Sequence, residues 1–356
     1  MNGLIRAPEG EAAAPVTAFL GRALAQFESA AGKSHLSCFT YRLGPWHIEL
    51  RHLGPGLEDL ISPAFAHLPL LTGERADLII YCCEVESTDF DPGRMPWRRD
   101  DIGPQGDIGH LAATHLRASW DPEGRTVQIL DRARAVGLFL IESRRHLRSW
   151  ERSFPLRHIL HWWAGPTSGQ LMHAGALGTP YGGVLLLGAG GAGKSTTTLS
   201  CFGSALRIAG DDFVLVDSGP PATVYSLYGA TKLAGTTLAR FPALAARLGH
   251  PHGSVEEKSL FFLDRIGRNA LIESFPLKAL LALEFVADGD TEIVRTSAAA
   301  ALQACAPNTM FLLPGDRELA FRKIARLTRS LPCYRLKLGR DLSQIPRRIV
   351  DFLDRH

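Results

Sequence analysis

The sequence predicts an α/β protein in which a β-rich α+β module precedes a phosphate-loop domain. Two observations lead to this prediction. The apolar run 182–187 is typical of a buried strand, and it leads directly into the glycine-rich segment 188–195, which a helical pattern follows. Before that segment, alternating apolar and polar residues indicate strands. A chain of 356 residues is long enough for two domains, each with its own core.

The pair Gly165-Pro166 marks the predicted domain boundary. Pro155 begins a short predicted helix that continues to Trp163, and the Gly-Pro pair ends it. The boundary gives an N-terminal module over residues 1–165 and a second domain over residues 166–356. We expect the N-terminal module to recognise the molecule on which the second domain acts, because the phosphate-loop domain shows no groove of its own.

The N-terminal module contains one amphipathic helical pattern and several strand patterns. Apolar residues at helical spacing predict a helix over residues 15–31. Residues 46–52 alternate strictly and predict a half-buried strand, and residues 125–130 predict a second strand of the same kind. The apolar run 78–83 predicts a buried strand. Residues 89–109 are rich in Pro, Gly and Asp and predict a long irregular loop.

Four further elements are predicted in the second domain. The helical pattern directly after the glycine-rich segment covers residues 196–201. Residues 277–286 predict a strand, and residues 316–330 and 342–353 predict two helices. Alternation of strands and helices of this kind is typical of α/β domains.

Composition excludes several functional classes. The net charge of +3 is mildly basic, and the basic runs are typical of solvated helix faces, so we expect no nucleic-acid partner. The six cysteines form no C-x-x-C pair and have no histidines at zinc-site spacing, so we expect no zinc site. No secretion signal and no apolar stretch approaching about 20 residues is evident, so we expect a cytoplasmic protein with no membrane partner.

The segment 188–195 matches the phosphate-loop pattern G-x-x-x-x-G-K-S. Its glycines allow backbone N–H groups to turn inward and form an anion-binding nest, and the following helix adds its positive end. Lys194 would reach the β and γ phosphates and Ser195 would ligate Mg²⁺, so the sequence predicts ATP and Mg²⁺ as cofactors. The predicted nucleotide-binding residues are Gly188, Gly190, Gly191, Ala192, Gly193, Lys194, Ser195 and Thr196.

An acidic pair, Asp211-Asp212, follows the loop closely and precedes the strand pattern 213–217. One helix and a tight turn fit the interval, so we expect this strand near the loop strand, with its acids at the carboxyl edge of the sheet. One carboxylate could hold Mg²⁺ and the other could accept a proton from an attacking hydroxyl. His173, shortly before the loop strand, is the third candidate.

The order of a His-Ala segment at His173, a phosphate loop ending in Gly-Lys-Ser and an early Asp-Asp resembles HPr kinase/phosphorylase and its relatives. That family shares its phosphate-loop core with phosphoenolpyruvate carboxykinases. The resemblance implies this core for the second domain and transfer of the γ-phosphate of ATP to a serine hydroxyl. In this picture Asp211 is the base, Asp212 holds Mg²⁺ with Ser195, and His173 lies beside the reacting phosphate.

The sequence differs in two places from the bacterial enzymes that phosphorylate HPr. Thr196 stands where the bacterial enzymes that phosphorylate HPr usually have an acidic residue, and residues 225–234 lack their later glycine-rich signature. The chain is more similar to HPr-kinase-related proteins of biosynthetic clusters, some of which phosphorylate a precursor peptide such as that of a lasso peptide. The expected partner is therefore a peptide or protein with an acceptor Ser or Thr. The family includes dimers and hexamers, so a homo-oligomer is among the arrangements to expect.

Further cations would help to neutralise charge during phosphoryl transfer. Lys232 and Lys258 are the candidates for phosphate or substrate contacts, with Arg265 and Arg268 as alternatives. Three functions remain open from the sequence. These are a serine or threonine kinase of a peptide or protein, a small-molecule kinase or carboxykinase-like enzyme, and a non-catalytic nucleotide-dependent switch.

Overall fold

The computed structural model describes residues 9–249 and 258–356. Within these ranges the chain has a mixed α/β fold with a seven-stranded sheet, a nine-stranded sheet and a two-stranded ribbon. The α/β class expected from the sequence is therefore confirmed. None of the described helices combines the length and the apolar character needed to cross a membrane.

The seven-stranded sheet belongs to the N-terminal part of the chain. Its strands are β1 (Leu36–Leu43), β2 (Trp46–Leu53), β3 (Leu70–Leu71), β4 (Leu78–Glu84), β5 (Leu116–Asp121), β6 (Thr126–Asp131) and β7 (Val136–Ile141). They lie in the order β3-β1-β2-β4-β7-β6-β5. The β2–β4 and β4–β7 pairs are parallel and the other pairs are antiparallel. The helices of this part are α1 (Glu9–Ala31), α2 (Glu58–Ile61), α3 (Ser149–Ser153) and α4 (Arg157–Ala164).

Both faces of this sheet are covered. Cys82 packs in a core cluster that also contains residues of the second part of the chain, such as Phe213. Its neighbour Cys83 packs in another cluster, together with α1 residues such as Phe19. Adjacent residues of a strand point to opposite faces, so the two thiols cannot serve one site. The prediction of a half-buried second strand is wrong, because every residue of β6 is buried between these two layers.

The nine-stranded sheet lies after the predicted boundary. Its strands are β8 (Gly169–His173), β9 (Gly175–Thr179), β10 (Gly182–Leu187), β11 (Arg207–Gly210), β12 (Phe213–Asp217), β13 (Thr223–Ser226), β16 (Ser274–Phe285), β17 (Glu292–Arg295) and β18 (Cys333–Leu338), while β14 (Ala230–Leu233) and β15 (Ser259–Phe262) form the ribbon. The helices are α5 (Lys194–Ser200), α6 (Gly235–Leu238), α7 (Pro242–Leu248), α8 (Ala298–Leu312), α9 (Arg317–Ser330) and α10 (Gln344–Leu353).

Most elements expected from periodicity are confirmed to within a few residues. The exceptions are α1, which begins at Glu9, and α8, which was not predicted from the sequence. The loop over 89–109 is confirmed, with a short 3-10 helix at Arg99–Asp101 and a second that begins at Gly109. Helix α8 packs against β8 and β16 and so covers this part of the sheet.

Neither β11 nor β12 pairs with the loop strand β10. Strand β9 lies between β10 and β11 and is antiparallel to both, while β12 pairs with β8 and β13. The strand at 213–217, expected near the loop strand, lies in the same sheet, and β16 and β13 stand between the two. Strand β11 nevertheless runs in the same direction as β10. Asp211 therefore follows its carboxyl end on the sheet edge where β10 ends.

One core cluster contains side chains from both sides of the predicted boundary. Phe139 and Trp162 lie before it, and Phe213, Leu215 and Phe262 lie after it. The two sheets therefore bury apolar surface against each other. The domain boundary at residues 165/166 stays a prediction.

We predict that Leu215→Ala lowers the free energy of unfolding by about 2–5 kcal/mol, because it leaves a cavity in this shared core. Leu215 is 1% exposed, whereas Leu70 is 59% exposed. The matched control Leu70→Ala should change the free energy by less than about 0.5 kcal/mol. Urea unfolding of both variants measures the difference, and equal losses would contradict the shared core.

Candidate functional site

The phosphate loop joins β10 to α5 without an intervening residue of regular structure. Gly191 has a φ of 82° and Gly193, which precedes the first helical residue, has a φ of 95°. Side chains with a Cβ rarely adopt these values, so both positions require glycine. The sequence prediction of strand, loop and helix in this order is confirmed.

Lys194 is held inside the loop. Its ammonium is buried and donates hydrogen bonds to the carbonyls of Gly188 at 2.9 Å and Ala189 at 3.3 Å. Burial lowers the pKa of Lys194, although the carboxylates of Asp212 and Asp211 act in the opposite direction. A buried cation that donates to neutral carbonyls of its own loop is suited to receive an anion.

Asp211 is enclosed by protein, with 1% of its surface exposed. The hydroxyl of Thr231 donates to its Oδ2, and Oδ1 has no hydrogen-bond partner among the described residues. Burial and then the charge of Asp212 raise the pKa of Asp211 to about 6, against the lowering effects of Thr231, Ser195 and Lys194. The carboxyl of Asp211 therefore lies on the Ser195 side of the acidic pair.

Asp212 has a different environment and faces a cavity beside the loop. Its Oδ1 lies 3.2 Å from Nε2 of His173. Burial opposes its ionisation, but the hydrogen bond and charge of His173, together with Lys194 and Lys232, outweigh burial and lower its pKa. Asp212 is thus the member of the pair whose charged form is more strongly favoured.

The sheet itself brings His173 to Asp212. His173 ends β8 and lies opposite Phe213, the residue after Asp212, in the antiparallel β8–β12 ladder. The His173 ring packs on the Phe213 ring with centroids 5.2 Å apart, and its backbone N–H donates to Oγ1 of Thr309 on α8. Ring and backbone contacts together orient the imidazole toward Asp212.

The cavity beside the loop, called here the phosphate-loop cavity, has a volume of about 580 Å³. The predicted site residues that line it are His173, Gly190, Gly191, Gly193, Lys194, Ser195, Thr196, Asp212, Lys232 and Lys258. Gly188, Ala192 and Asp211 lie behind this surface. Arg265 is exposed and lines a different cavity, and the side chain of Arg268 lies outside the described residues.

The donor set fits a hard divalent cation that is bound together with phosphate oxygens. Within the described ranges, no cluster of three or more His, Cys, Asp or Glu side chains could hold a metal ion alone. Mg²⁺ usually takes only one or two carboxylates and otherwise binds waters and substrate phosphates. The Ser195 hydroxyl and the orphaned Oδ1 of buried Asp211 offer such a partial set.

Several residues of the site carry no motif that the sequence could reveal. Asn308 of α8 donates to the Gly188 carbonyl at 3.1 Å, and Thr231 binds Asp211. Trp150, Phe154 and Arg157 line the phosphate-loop cavity although they precede the predicted boundary. One signal in the sequence could have indicated Asn308. It stands next to Thr309 as a polar pair within an otherwise mostly apolar helix, where a helix that serves only packing would have apolar residues.

Comparisons with known proteins add little to this geometry. No protein-family model and no curated protein matches the chain. Among solved structures, the chain is similar to the Hpr(Ser) kinase/phosphatase from Coxiella burnetii. The two share 11% sequence identity at a TM-score of 0.30, over 52% of this chain and 97% of that one. The functional proposal below therefore rests on the residues of the site.

We predict that Asp211→Asn stabilises the metal-free protein at high pH only. The folded pKa of Asp211 is raised from 3.8 to about 6. Its stabilising contribution is therefore fully present below pH 3.8 and is lost as pH rises through 6. The neutral amide avoids that loss, so the variant should gain up to about 3 kcal/mol over wild type at pH 8 and nothing at pH 3.5.

Urea unfolding in metal-free buffer at the two pH values measures this gain. The control is Asp288→Asn, which removes an exposed aspartate far along the chain from the pair. An equal effect of Asp211→Asn at both pH values would contradict a raised pKa.

Proposed function

We propose that the chain is a Mg-ATP-dependent kinase that transfers a phosphoryl group to a Ser or Thr hydroxyl of a peptide or protein. One observation carries the proposal: a phosphate loop with a buried lysine opens into the same cavity as the His173–Asp212 pair. Bound Mg-ATP would supply the γ-phosphoryl group and a cation that neutralises its charge. The resemblance to precursor-peptide kinases supports a peptide acceptor.

We assign the proton-accepting role to Asp212, which exchanges the roles of the two aspartates expected from the resemblance. A base must reach the hydroxyl that it deprotonates, and Asp212 lines the cavity whereas Asp211 lies behind it. The contact with His173 keeps Asp212 ionised, so it can accept the proton. His173 orients this carboxylate and stabilises its charge.

Asp211 and Ser195 form the metal side of the site in this proposal. The Ser195 hydroxyl lowers the pKa of the Asp211 carboxyl, so the two groups are neighbours. Within the described part of the chain, Oδ1 of Asp211 has no hydrogen-bond partner. A nearby divalent cation would keep Asp211 ionised. Lys194 would exchange its loop carbonyls for phosphate oxygens, and Lys232 and Lys258 would contact phosphate from the β14–β15 side.

The alternative function, a non-catalytic nucleotide-dependent switch, explains fewer residues of the site than a kinase does. Nucleotide binding alone needs the loop, Lys194 and a metal ligand. It gives no role to the His173–Asp212 pair, which the β8–β12 ladder holds at the cavity surface. The kinase assignment uses both halves of the site.

We predict that Asp212→Asn lowers the rate of phosphate transfer by at least about 100-fold, the usual lower range for general-base catalysis. Its affinity for Mg-ATP should stay close to that of wild type. Transfer from γ-labelled ATP to a pool of Ser- and Thr-containing peptides measures the rate, and calorimetry measures the affinity.

Two further variants distinguish the roles proposed for the two aspartates and Lys194. Asp211→Asn should weaken the Mg²⁺ dependence of nucleotide binding, and Lys194→Ala should weaken both binding and transfer. Normal transfer by Asp212→Asn together with loss of transfer but intact Mg-ATP binding in Asp211→Asn would return the base role to Asp211. A wild-type protein that binds no Mg-ATP would overturn the kinase proposal itself.

A further inference from the structure

A second cavity, of about 610 Å³, adjoins the phosphate-loop cavity. The two cavities share the lining residues Trp150, Phe154, Arg157 and Leu312. The second cavity extends from these residues between the β5–β6 turn, the segment 99–106 and the end of α8. The shared residues therefore place the second cavity next to the one that Asp212 and Lys194 line.

Glu151 supplies a buried polar group to the second cavity. It is 9% exposed, its Oε1 accepts a hydrogen bond from Thr126 at 2.9 Å, and its Oε2 has no partner among the described residues. Burial raises the pKa of Glu151 to about 7, so the carboxyl can donate or accept a hydrogen bond near neutral pH. Gln105 and Gln128 also line this cavity. Such groups match the donors and acceptors of peptide amides.

Two exposed apolar side chains of α8 line the second cavity. Phe311 is 68% exposed and Leu312 is 40% exposed, both at the end of α8. Gln105 Nε2 donates to the carbonyls of Met310 at 3.1 Å and Phe311 at 2.8 Å, so the segment 99–106 is fastened to the end of α8. Exposed aromatic surface beside a cavity is typical of sites that bind proteins rather than sites that enclose small molecules.

Arg157 stands where the two cavities meet. Its side chain lines both cavities and is partly exposed. Burial lowers its pKa, and the charges of Glu151 and Asp121 act against burial. A guanidinium at this position is suited to donate hydrogen bonds to carbonyl oxygens of a chain that lies across both cavities.

We propose that the second cavity is the acceptor-binding site and takes a polypeptide segment of the substrate, with a bulky apolar residue on Phe311 and its hydroxyl residue beyond Arg157. This inference rests on the proposed kinase function. Three observations favour a polypeptide over a small hydroxyl compound. The two cavities share lining residues, the second cavity has amide-compatible side chains, and Phe311 is exposed beside it. Phe311 acts here as a specificity-determining residue.

The test uses a positional-scanning library of peptides, each with one central Ser or Thr, and γ-labelled ATP with Mg²⁺. We expect wild type to select a bulky apolar residue at one fixed distance from the acceptor hydroxyl. Phe311→Ser should abolish that selection and raise KM for the selected peptide about tenfold, a change of about 1.4 kcal/mol. Glu151→Gln should raise KM for the same peptide. Neither variant should change the affinity for Mg-ATP.

The matched control is Tyr181→Ser, since Tyr181 is also an exposed aromatic residue, 87% exposed, in the β9–β10 turn. It should retain the wild-type selection and KM. Unchanged selection and KM in Phe311→Ser and Glu151→Gln would overturn the inference, as would labelling of small hydroxyl compounds but no peptide. Failure of wild type to bind Mg-ATP would instead count against the kinase proposal, so the two failures are distinguishable.

Discussion

The antiparallel ladder of β8–β9 against β11–β12 is the constraint on which the candidate site depends. His173 lies opposite Phe213, and Ala176 lies opposite Gly210, so the Asp211-Asp212 turn is held between two paired segments. A slip of one residue would move His173 to the other face of the sheet and separate it from Asp212. Because β9 also pairs with the loop strand β10, the same sheet fixes the acidic pair relative to the phosphate loop.

The ladder places two carboxylates and one ammonium in a buried region, which is electrostatically unfavourable for isolated groups. The structure separates the two aspartates by their neighbours. His173 and the lysines keep Asp212 charged, while Asp211 has a raised pKa and an unused oxygen. Such divergence between adjacent acids is typical of functional sites. The surrounding core holds these side chains in place. A bound cation would reduce the electrostatic repulsion between the two carboxylates.

The N-terminal part of the chain is structurally part of the site. The Phe154 ring contacts the Phe213 ring with centroids 5.1 Å apart, and Phe213 in turn contacts His173. Trp150 and Arg157 line the phosphate-loop cavity from the same segment. An acceptor held by the N-terminal part would therefore be presented at Asp212, which gives the proposed division of labour a physical basis.

The amino-acid sequence by itself determined the features whose physical causes are local. The phosphate loop could be predicted because Gly191, Gly193 and Lys194 are contiguous with a strand and a helix, and periodicity predicted elements such as β2 and α10. Only the tertiary structure decided which aspartate neighbours Ser195 and which neighbours His173, and it added Asn308 and Arg157 to the site. These relations depend on pairing and packing between segments distant in the chain, and residue spacing carries no record of such contacts.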